Sequence, residues 1–238
     1  MFTSCGDCNN GWILNDETGF AAKCDCLIEY QKLSMLNLFK SKAGIINHER
    51  GTENLKLKDK DVLSKIRYYA SNIDGKMGKN CHLYLCGKNN SSKTFTAKSI
   101  LHDACTKSID CKFIIMGDLI DMISDSFAEE SKNKEIDKYL NCKLLVVDDA
   151  FDKKKCTLFK SSYQIPFLDR FIRKRLESYQ LNTIFTSNVR IEDIYSNGFS
   201  QDIQNLIERT IKNRGGYLEF NDVFVESEYD VNITSIWD

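Results

Sequence analysis

The sequence predicts an α/β protein in which a five-stranded, mostly parallel sheet is flanked by helices. Three observations support this fold class. Short apolar runs alternate along the chain with stretches of helical periodicity, which is typical of strands covered by helices on both faces. A polar loop at 87–94 joins the first of these runs to a helix, and a later run ends in the acidic pair Asp148 and Asp149. Both features are expected at the sheet edge where parallel strands bind ligands.

The strands are predicted from buried apolar runs, and the helices from apolar residues three or four positions apart. The predicted strands are 81–86, 112–116, 143–147, 183–187 and 217–220. The predicted helices of the same part of the chain are 59–73, 93–106, 117–128, 132–141, 164–179 and 200–213. Asp59 is the expected N-cap of the first of these helices.

Composition and charge exclude several classes of protein. The 238 residues are 42% hydrophobic and 28% charged, which is typical of a globular protein and not of a disordered one. The 33 lysines and arginines nearly balance the 34 acidic residues, so a nucleic-acid contact has to come from a local patch. No apolar stretch is long enough to cross a bilayer, and the N-terminus lacks the basic and apolar regions of an export signal. A cytoplasmic protein is therefore expected.

The N-terminal segment is rich in cysteine. Cys5-x2-Cys8 and Cys24-x-Cys26 place four of the ten cysteines within the first 26 residues. In a chain without an export signal, cysteines are expected to be reduced, and four thiolates at tetrahedral distance form a closed structural zinc site. The spacing therefore predicts a small zinc knuckle, with unligated cysteines or a redox pair as the alternatives.

A helix is predicted directly after the knuckle, from Leu27 to about Lys42, with Gly44 as its stop. Residues 47–58 are polar and indicate a linker. The predicted division of the chain is therefore 1–55, a zinc knuckle with a helix, and 56–238, the α/β core.

The loop at 87–94 has the pattern of a phosphate-binding loop. It reads GKNNSSKT and matches G-x-x-x-x-G-K-[ST] except that Ser92 replaces the second glycine. In such loops backbone N–H groups face the β-phosphate, the lysine reaches the β- and γ-phosphates, and the final hydroxyl binds Mg²⁺. The residues expected to bind ATP and Mg²⁺ are Gly87, Ser91, Ser92, Lys93 and Thr94. The alternative is a polar strand-to-helix turn that contains Lys-Thr by chance.

Acidic and amide side chains follow two further strands. Asp148 and Asp149 end the strand at 143–147, and Asn188 follows the strand at 183–187. We expect Asp148 to hold Mg²⁺, Asp149 to orient or deprotonate the attacking water, and Asn188 to contact the γ-phosphate and that water. The alternatives are an acidic pair that only caps a strand and an asparagine that only forms a turn.

These three elements, in this order and behind a cysteine-bearing segment, resemble the helicase-loader branch of the AAA+ ATPases. That branch comprises the DnaC/DnaI-like proteins, whose relatives include the IstB-type transposition helpers. The resemblance covers about residues 60–225. It is most specific at 167–189, where Arg175-x-Glu177 precedes a strand that ends in Thr-Ser-Asn at 186–188.

The resemblance implies roles for individual residues. Lys93 and Thr94 fall on the Walker A motif, Asp148 and Asp149 on Walker B, and Asn188 on sensor 1. The family also places an arginine finger, which acts on a neighbouring subunit's nucleotide, in a helix after sensor 1. Arg209 is the expected finger in preference to Arg214, and the alternative is a solvent-facing arginine on an amphipathic helix.

This sequence departs from the family pattern at two positions. Ser92 has a Cβ atom and prefers negative φ, so nucleotide affinity falls if the loop needs the conformation of glycine. Asp149 is a methylene shorter than the usual glutamate, which is expected to slow hydrolysis while leaving Mg²⁺ binding intact. Both changes favour an ATP-dependent switch with weak turnover.

The resemblance also implies partners. DnaI-type loaders carry a zinc-bearing N-terminal domain that docks on the helicase, so the cysteine knuckle is expected to bind a hexameric replicative helicase. Between residues 150 and 190, nine basic residues stand against three acids, a local net charge of +6. This segment is the candidate contact for single-stranded DNA, and a solvated helix face is the alternative.

The function expected from the sequence is therefore the ATP-dependent loading of a replicative DNA helicase onto single-stranded DNA, with self-assembly on the helicase. One alternative keeps the fold and makes the chain an IstB-like transposition helper. Another is an adaptor that neither binds nor hydrolyses nucleotide.

Overall fold

The computed structural model describes residues 3–14, 20–48, 50–74, 80–125, 130–153 and 164–221. Its strands are β1 (Trp12–Leu14), β2 (Ala21–Lys23), β3 (Leu83–Gly87), β4 (Cys111–Ile115), β5 (Leu144–Asp148), β6 (Asn182–Ser187) and β7 (Tyr217–Phe220). Its α-helices are α1 (Asp25–Ala43), α2 (Lys60–Ser71), α3 (Lys93–Thr106), α4 (Met116–Asp125), α5 (Glu130–Asn141), α6 (Gln164–Arg173) and α7 (Gln201–Thr210). Short 3-10 turns occur at 52–54, 191–193 and 212–214.

The main sheet has five strands in the order β4-β5-β6-β3-β7, and every neighbouring pair is parallel. The predicted α/β class and the five predicted strands are confirmed, with boundaries within two residues. Because all strands run in one direction, the loop after β3 and the ends of β5 and β6 meet at the same edge of the sheet.

The strands divide their side chains between two apolar clusters. Along β3, Leu83 and Leu85 belong to the cluster under α1, α2 and α3, whereas Tyr84 and Cys86 belong to the cluster under α4, α6 and α7. This alternation follows from the two-residue period of a strand. Burial on both faces explains why the strands appear in the sequence as continuous apolar runs.

The second half of the N-terminal helix packs against the core of the main sheet. Leu36, Phe39 and Ala43 pack against the cluster that also contains Ile45 and Leu55, while Leu33 and other apolar residues of α1 stay exposed. Gly44 ends α1 with φ +81°, and its backbone N–H bonds the carbonyls of Lys40 and Ser41, as expected for a left-handed C-cap. The division into 1–55 and 56–238 stays a prediction.

Two helix ends illustrate how local chemistry sets the boundaries. Asp59 caps α2 as predicted, because its carboxylate accepts the N–H groups of Asp61 and Val62 at 3.0 Å. The helix predicted at 164–179 changes character at Arg173, and residues 174–178 form a π-helical turn. That turn carries Arg175 inward, and π-turns are frequent at such departures from regular structure.

Among the residues described, none of the helices has both the length and the apolar content required to cross a lipid bilayer.

Candidate functional site

The loop after β3 has a conformation that glycine usually supplies. Ser92, which precedes α3, has φ +65° and ψ 10°, and its side chain makes no capping hydrogen bond. For a residue with a Cβ atom this left-handed conformation costs about 1–2 kcal/mol. The departure from the phosphate-loop pattern is therefore a source of backbone strain at the start of the helix.

The other end of the loop has no room for a side chain. A Cβ atom on Gly87 would lie 2.3 Å from the carbonyl oxygen of Phe220 and 2.8 Å from Oγ of Ser91. The end of β7 therefore forms a wall of the loop, and glycine is required at position 87.

The lysine of the loop is folded over the loop itself. Nζ of Lys93 donates hydrogen bonds to the carbonyl oxygen of Lys88 at 2.6 Å and to Oγ of Ser91 at 3.2 Å. Oγ of Ser91 donates to the same Lys88 carbonyl at 2.8 Å. Lys93 and Ser91 are both buried, so the positive charge lies at the centre of the loop and not on its rim.

Asp148 lies directly across from the start of α3. Its Oδ1 accepts a hydrogen bond from the Thr94 hydroxyl at 2.8 Å and a second one from the Thr186 hydroxyl. The carboxylate is only 6% exposed. Both donors are neutral hydroxyl groups. The structure therefore places the Asp148 carboxylate beside the Thr94 hydroxyl, and oxygen atoms of these two kinds are ligands that a magnesium ion prefers.

Asp149 is the next residue and is less buried. Its φ is +52°, and its backbone N–H donates to the Thr186 hydroxyl at 3.2 Å. Its place at the strand end is the predicted one, while its part in activating water stays a prediction.

The tip of β6 contacts the loop through Asn188. Its side-chain nitrogen donates to Oδ1 of Asn89 at 2.8 Å, which links the predicted sensor to the predicted phosphate-binding loop. The preceding Ser187 donates to the carbonyl of Ala150 and accepts the N–H of Val189 at 3.0 Å.

Sequence reasoning missed the contacts of Asn89, Thr186 and Ser187. The signal was the tripeptide Thr-Ser-Asn at the end of an apolar strand, of which only the asparagine received a role. Each of its three side chains reaches a different neighbour: the Asp148 carboxylate at the end of β5, the turn that follows β5, and the loop after β3.

The structure does not bring Arg209 to this site. Its guanidinium, 63% exposed, pairs with Glu177 of the same chain, and Glu177 also binds Arg173 at 3.1 Å. The role of Arg209 as an arginine finger stays a prediction.

The prediction of a basic surface at 150–190 is wrong for Arg175. Its side chain is 1% exposed and donates to the backbone carbonyls of Leu140, Cys142 and Asn182 at 2.9–3.1 Å. The arginine of the Arg-x-Glu pattern therefore clamps the end of α5 to the start of β6 and takes no part in a DNA-binding face. Of the other basic residues in that segment, Lys154, Lys155 and Lys160 lie outside the described residues.

The four N-terminal cysteines form one cluster. Their sulfur atoms all lie within 4.8 Å of one another, with Sγ separations of 3.5 Å from Cys5 to Cys24 and 3.4 Å from Cys8 to Cys26. Tetrahedral zinc with Zn–S bonds of about 2.3 Å requires sulfur separations of about 3.8 Å. The donor set and its spacing fit a structural zinc ion.

A hairpin missed by the sequence reasoning closes this cluster. Strands β1 and β2 pair antiparallel, and the N–H of Cys24 donates to the carbonyl of Gly11 at 2.7 Å. The hairpin returns the chain so that Cys24 and Cys26 face the first pair. A hydrogen bond with the backbone of Cys5 lowers the pKa of the Cys26 thiol to about 7, whereas burial raises the pKa of the Cys8 thiol, so Cys26 is the more readily ionised of these two neighbouring sulfurs.

Comparison with known proteins identifies the fold. No family model and no curated protein matches the sequence. AMPPCP-bound DnaA from Aquifex aeolicus matches with a TM-score of 0.58 and 14% identity, over 72% of this chain and 50% of that one. The DnaC helicase loader matches with a TM-score of 0.58 and 20% identity, over 72% and 95%. DnaI matches with a TM-score of 0.55 and 16% identity, over 76% and 91%.

The chain thus spans about half the length of the DnaA protein it matches, and nearly all of the DnaC and DnaI structures. These neighbours are AAA+ ATPases, as the sequence resemblance implied. At such low identities the likeness concerns the fold, and the fold of this chain is that of the AAA+ ATPases.

Proposed function

We propose that the chain binds ATP and Mg²⁺ at the shared edge of β3, β5 and β6, and that it acts as a loader of a replicative DNA helicase. One observation carries the proposal. Lys93 with Thr94, Asp148 and Asn188 come from three separate parts of the sequence, and hydrogen bonds at the ends of three parallel strands join their surroundings into one site. Sheet edges of this kind are where open α/β folds bind ligands.

The geometry suggests what each residue does. Lys93 exchanges its bonds to the Lys88 carbonyl and Ser91 for oxygen atoms of the β- and γ-phosphates. Thr94 and Asp148 hold Mg²⁺, which neutralises charge on those phosphates when it is bound. Asn188 exchanges Asn89 for the γ-phosphate, so the contact between the two asparagines reports whether nucleotide is present.

Hydrolysis is proposed to be slow. Ser92 keeps the loop in a strained conformation, and Asp149 is shorter than the glutamate usual at its position. ATP therefore acts mainly by favouring one conformation of the protein, which requires only different affinities for two states.

Arg209 is proposed to complete the site of a neighbouring subunit. An arginine supplied in this way raises turnover by about 10³–10⁵-fold. Within one chain Arg209 pairs with Glu177, so assembly has to exchange this ion pair for a contact with the neighbour's nucleotide.

The partners are proposed from the neighbours and from the N-terminal segment. A DnaC structure that covers 72% of this chain is named a helicase loader, and one DnaA structure is bound to single-stranded DNA. The N-terminal segment exposes four large apolar residues, Trp12, Ile13, Leu14 and Phe20, and these are the side chains proposed to dock on a hexameric helicase.

Nucleotide titration tests the ATPase part of the proposal. We expect saturable, Mg²⁺-dependent binding of a fluorescent ATP analogue and its loss in Lys93→Ala. Lys65→Ala is the matched control, because Lys65 is an exposed lysine whose ion pair with Asp61 is on the surface. Absence of binding at millimolar nucleotide would contradict the proposal.

Binding to a purified hexameric helicase tests the loader part. Capture that depends on ATP and is lost in Cys5→Ser or Cys8→Ser supports it. Capture of the helicase by Lys93→Ala and by the parent equally, without nucleotide, would favour the alternative of a nucleotide-independent adaptor, for which the strained Ser92 is the specific argument.

A further inference from the structure

Thr186 makes two hydrogen bonds to the acidic pair at the end of β5. Its hydroxyl donates to Oδ1 of Asp148 and accepts the backbone N–H of Asp149 at 3.2 Å. The residue is 1% exposed, so water does not compete for either bond. One hydroxyl therefore fixes both the carboxylate and the backbone of the residue that follows it.

The position of Thr186 follows from the sheet register. Val147 pairs with Phe185 in the parallel β5–β6 ladder, and Asp148 and Thr186 are the next residues of the two strands. A threonine is stiff at χ1, and its hydroxyl is both a donor and an acceptor. Serine shares the hydroxyl, and valine shares the shape but has no hydroxyl.

Thr94 and Thr186 donate to the same oxygen of Asp148, but only one of these two hydrogen bonds is expected to persist when Mg²⁺ binds. In the proposed function Thr94 becomes a ligand of Mg²⁺ and gives up its bond to the carboxylate. Thr186 lies on the neighbouring strand β6 and keeps its hydrogen bond to Asp148. Of the two described side chains that hydrogen-bond to Asp148, Thr186 is then the one that still orients its carboxylate in the loaded site.

We propose that Thr186 is a positioning residue for Mg²⁺: its hydroxyl holds Asp148 in the orientation that binds the ion together with nucleotide. This inference rests on the proposed function of the site. Removing a hydrogen-bond partner of a metal ligand typically weakens metal affinity by about 10–100-fold.

The experiment compares Thr186→Val with Thr186→Ser. Binding of a fluorescent ATP analogue is measured over a range of Mg²⁺ concentrations and in EDTA. We expect the Mg²⁺ concentration at half-saturation to rise by about 10–100-fold in Thr186→Val. Thr186→Ser should restore the parent value, and the weak binding in EDTA should be the same in all three proteins.

Thr52→Val is the matched control. Thr52 is also a buried threonine whose hydroxyl donates to a carboxylate, that of Asp103 at 2.5 Å. Thr52→Val should lower stability without changing the Mg²⁺ dependence. If Thr186→Val does not fold, Thr186→Cys takes its place, because a thiol keeps the size of serine and bonds weakly.

Three results would overturn the inference: an unchanged Mg²⁺ half-saturation in the valine or cysteine variant, a shift of the same size in Thr52→Val, or a serine variant that does not recover. Failure of the proposed function is a different result. In that case the parent protein itself shows no Mg²⁺-dependent nucleotide binding.

Discussion

The site at the carboxyl ends of β3, β5 and β6 and the N-terminal cysteine cluster are stabilised in different ways. At the sheet edge, Lys93, Asp148 and Thr186 are buried and hydrogen-bonded within a fold that has two apolar clusters. In the N-terminal segment all six residues of β1 and β2 are exposed, and only Cys24 among the four cysteines is buried. The first region is organised by the core, whereas the second depends on its four thiols and on what they bind.

Metal removal is the strongest test of this difference. Structural zinc contributes about 10–16 kcal/mol of apparent binding free energy in small domains, so chelation or Cys8→Ser should abolish the fold of the N-terminal hairpin. The core should keep its thermal midpoint. Zinc content by mass spectrometry, and limited proteolysis before and after chelation, measure the effect.

Cys81→Ser is the control for that experiment, because Cys81 is outside the cluster. A core whose midpoint falls together with the hairpin would show that the two regions are not independent.

The buried arginine tests the core side of the comparison. Arg175→Met leaves several buried carbonyl groups without a donor, and each such loss costs about 1–3 kcal/mol. The free energy of unfolding in urea should fall by about 3 kcal/mol or more. Arg170→Met, at an exposed position of the preceding helix α6, should change it by less than about 0.5 kcal/mol.

In the loop at 87–94, one substitution is expected to increase stability. Ser92→Gly removes the strain of a positive φ and should raise the free energy of unfolding by about 1 kcal/mol. If the strain also limits nucleotide binding, affinity for ATP rises at the same time. A glycine variant that is less stable than the parent would show that the serine side chain contributes a contact of its own.

The smallest stability effect is expected at the exposed ion pair. Glu177→Gln frees Arg209 and should change the free energy of unfolding by less than about 1 kcal/mol. Turnover should nevertheless rise under conditions of assembly, because the arginine no longer has to leave Glu177. Equal turnover in the two assembled proteins would remove the proposed competition between Glu177 and a neighbouring nucleotide.

The predictable and unpredictable parts of this molecule follow the same division. The five strands of the main sheet were predictable because burial on both faces leaves a continuous apolar run. The hairpin was not, because strands of three exposed residues leave no periodic pattern. The positions of Lys93 and Asp148 were predictable, because the loop pattern has a fixed spacing and the acidic pair directly follows an apolar run, while their roles stay predictions.

Arg175 and Thr186 show where residue type alone misleads. A charged residue on a basic helix is usually at the surface, and only the π-helical turn carries Arg175 inside. A threonine in an apolar strand looks like an ordinary β-branched residue, and its two bonds to the acidic pair depend on a neighbouring strand that is distant in sequence.

The close approach of Phe220 to Gly87 connects strand β7 to the loop at 87–94. Strand β7 is at the edge of the sheet, where backbone amides ordinarily exchange their hydrogens early. Here its final residue forms a wall of the loop at 87–94. A ligand that rigidifies the loop should therefore slow amide hydrogen exchange at residues 217–220. Exchange at this edge strand would then report how much of the protein has nucleotide bound.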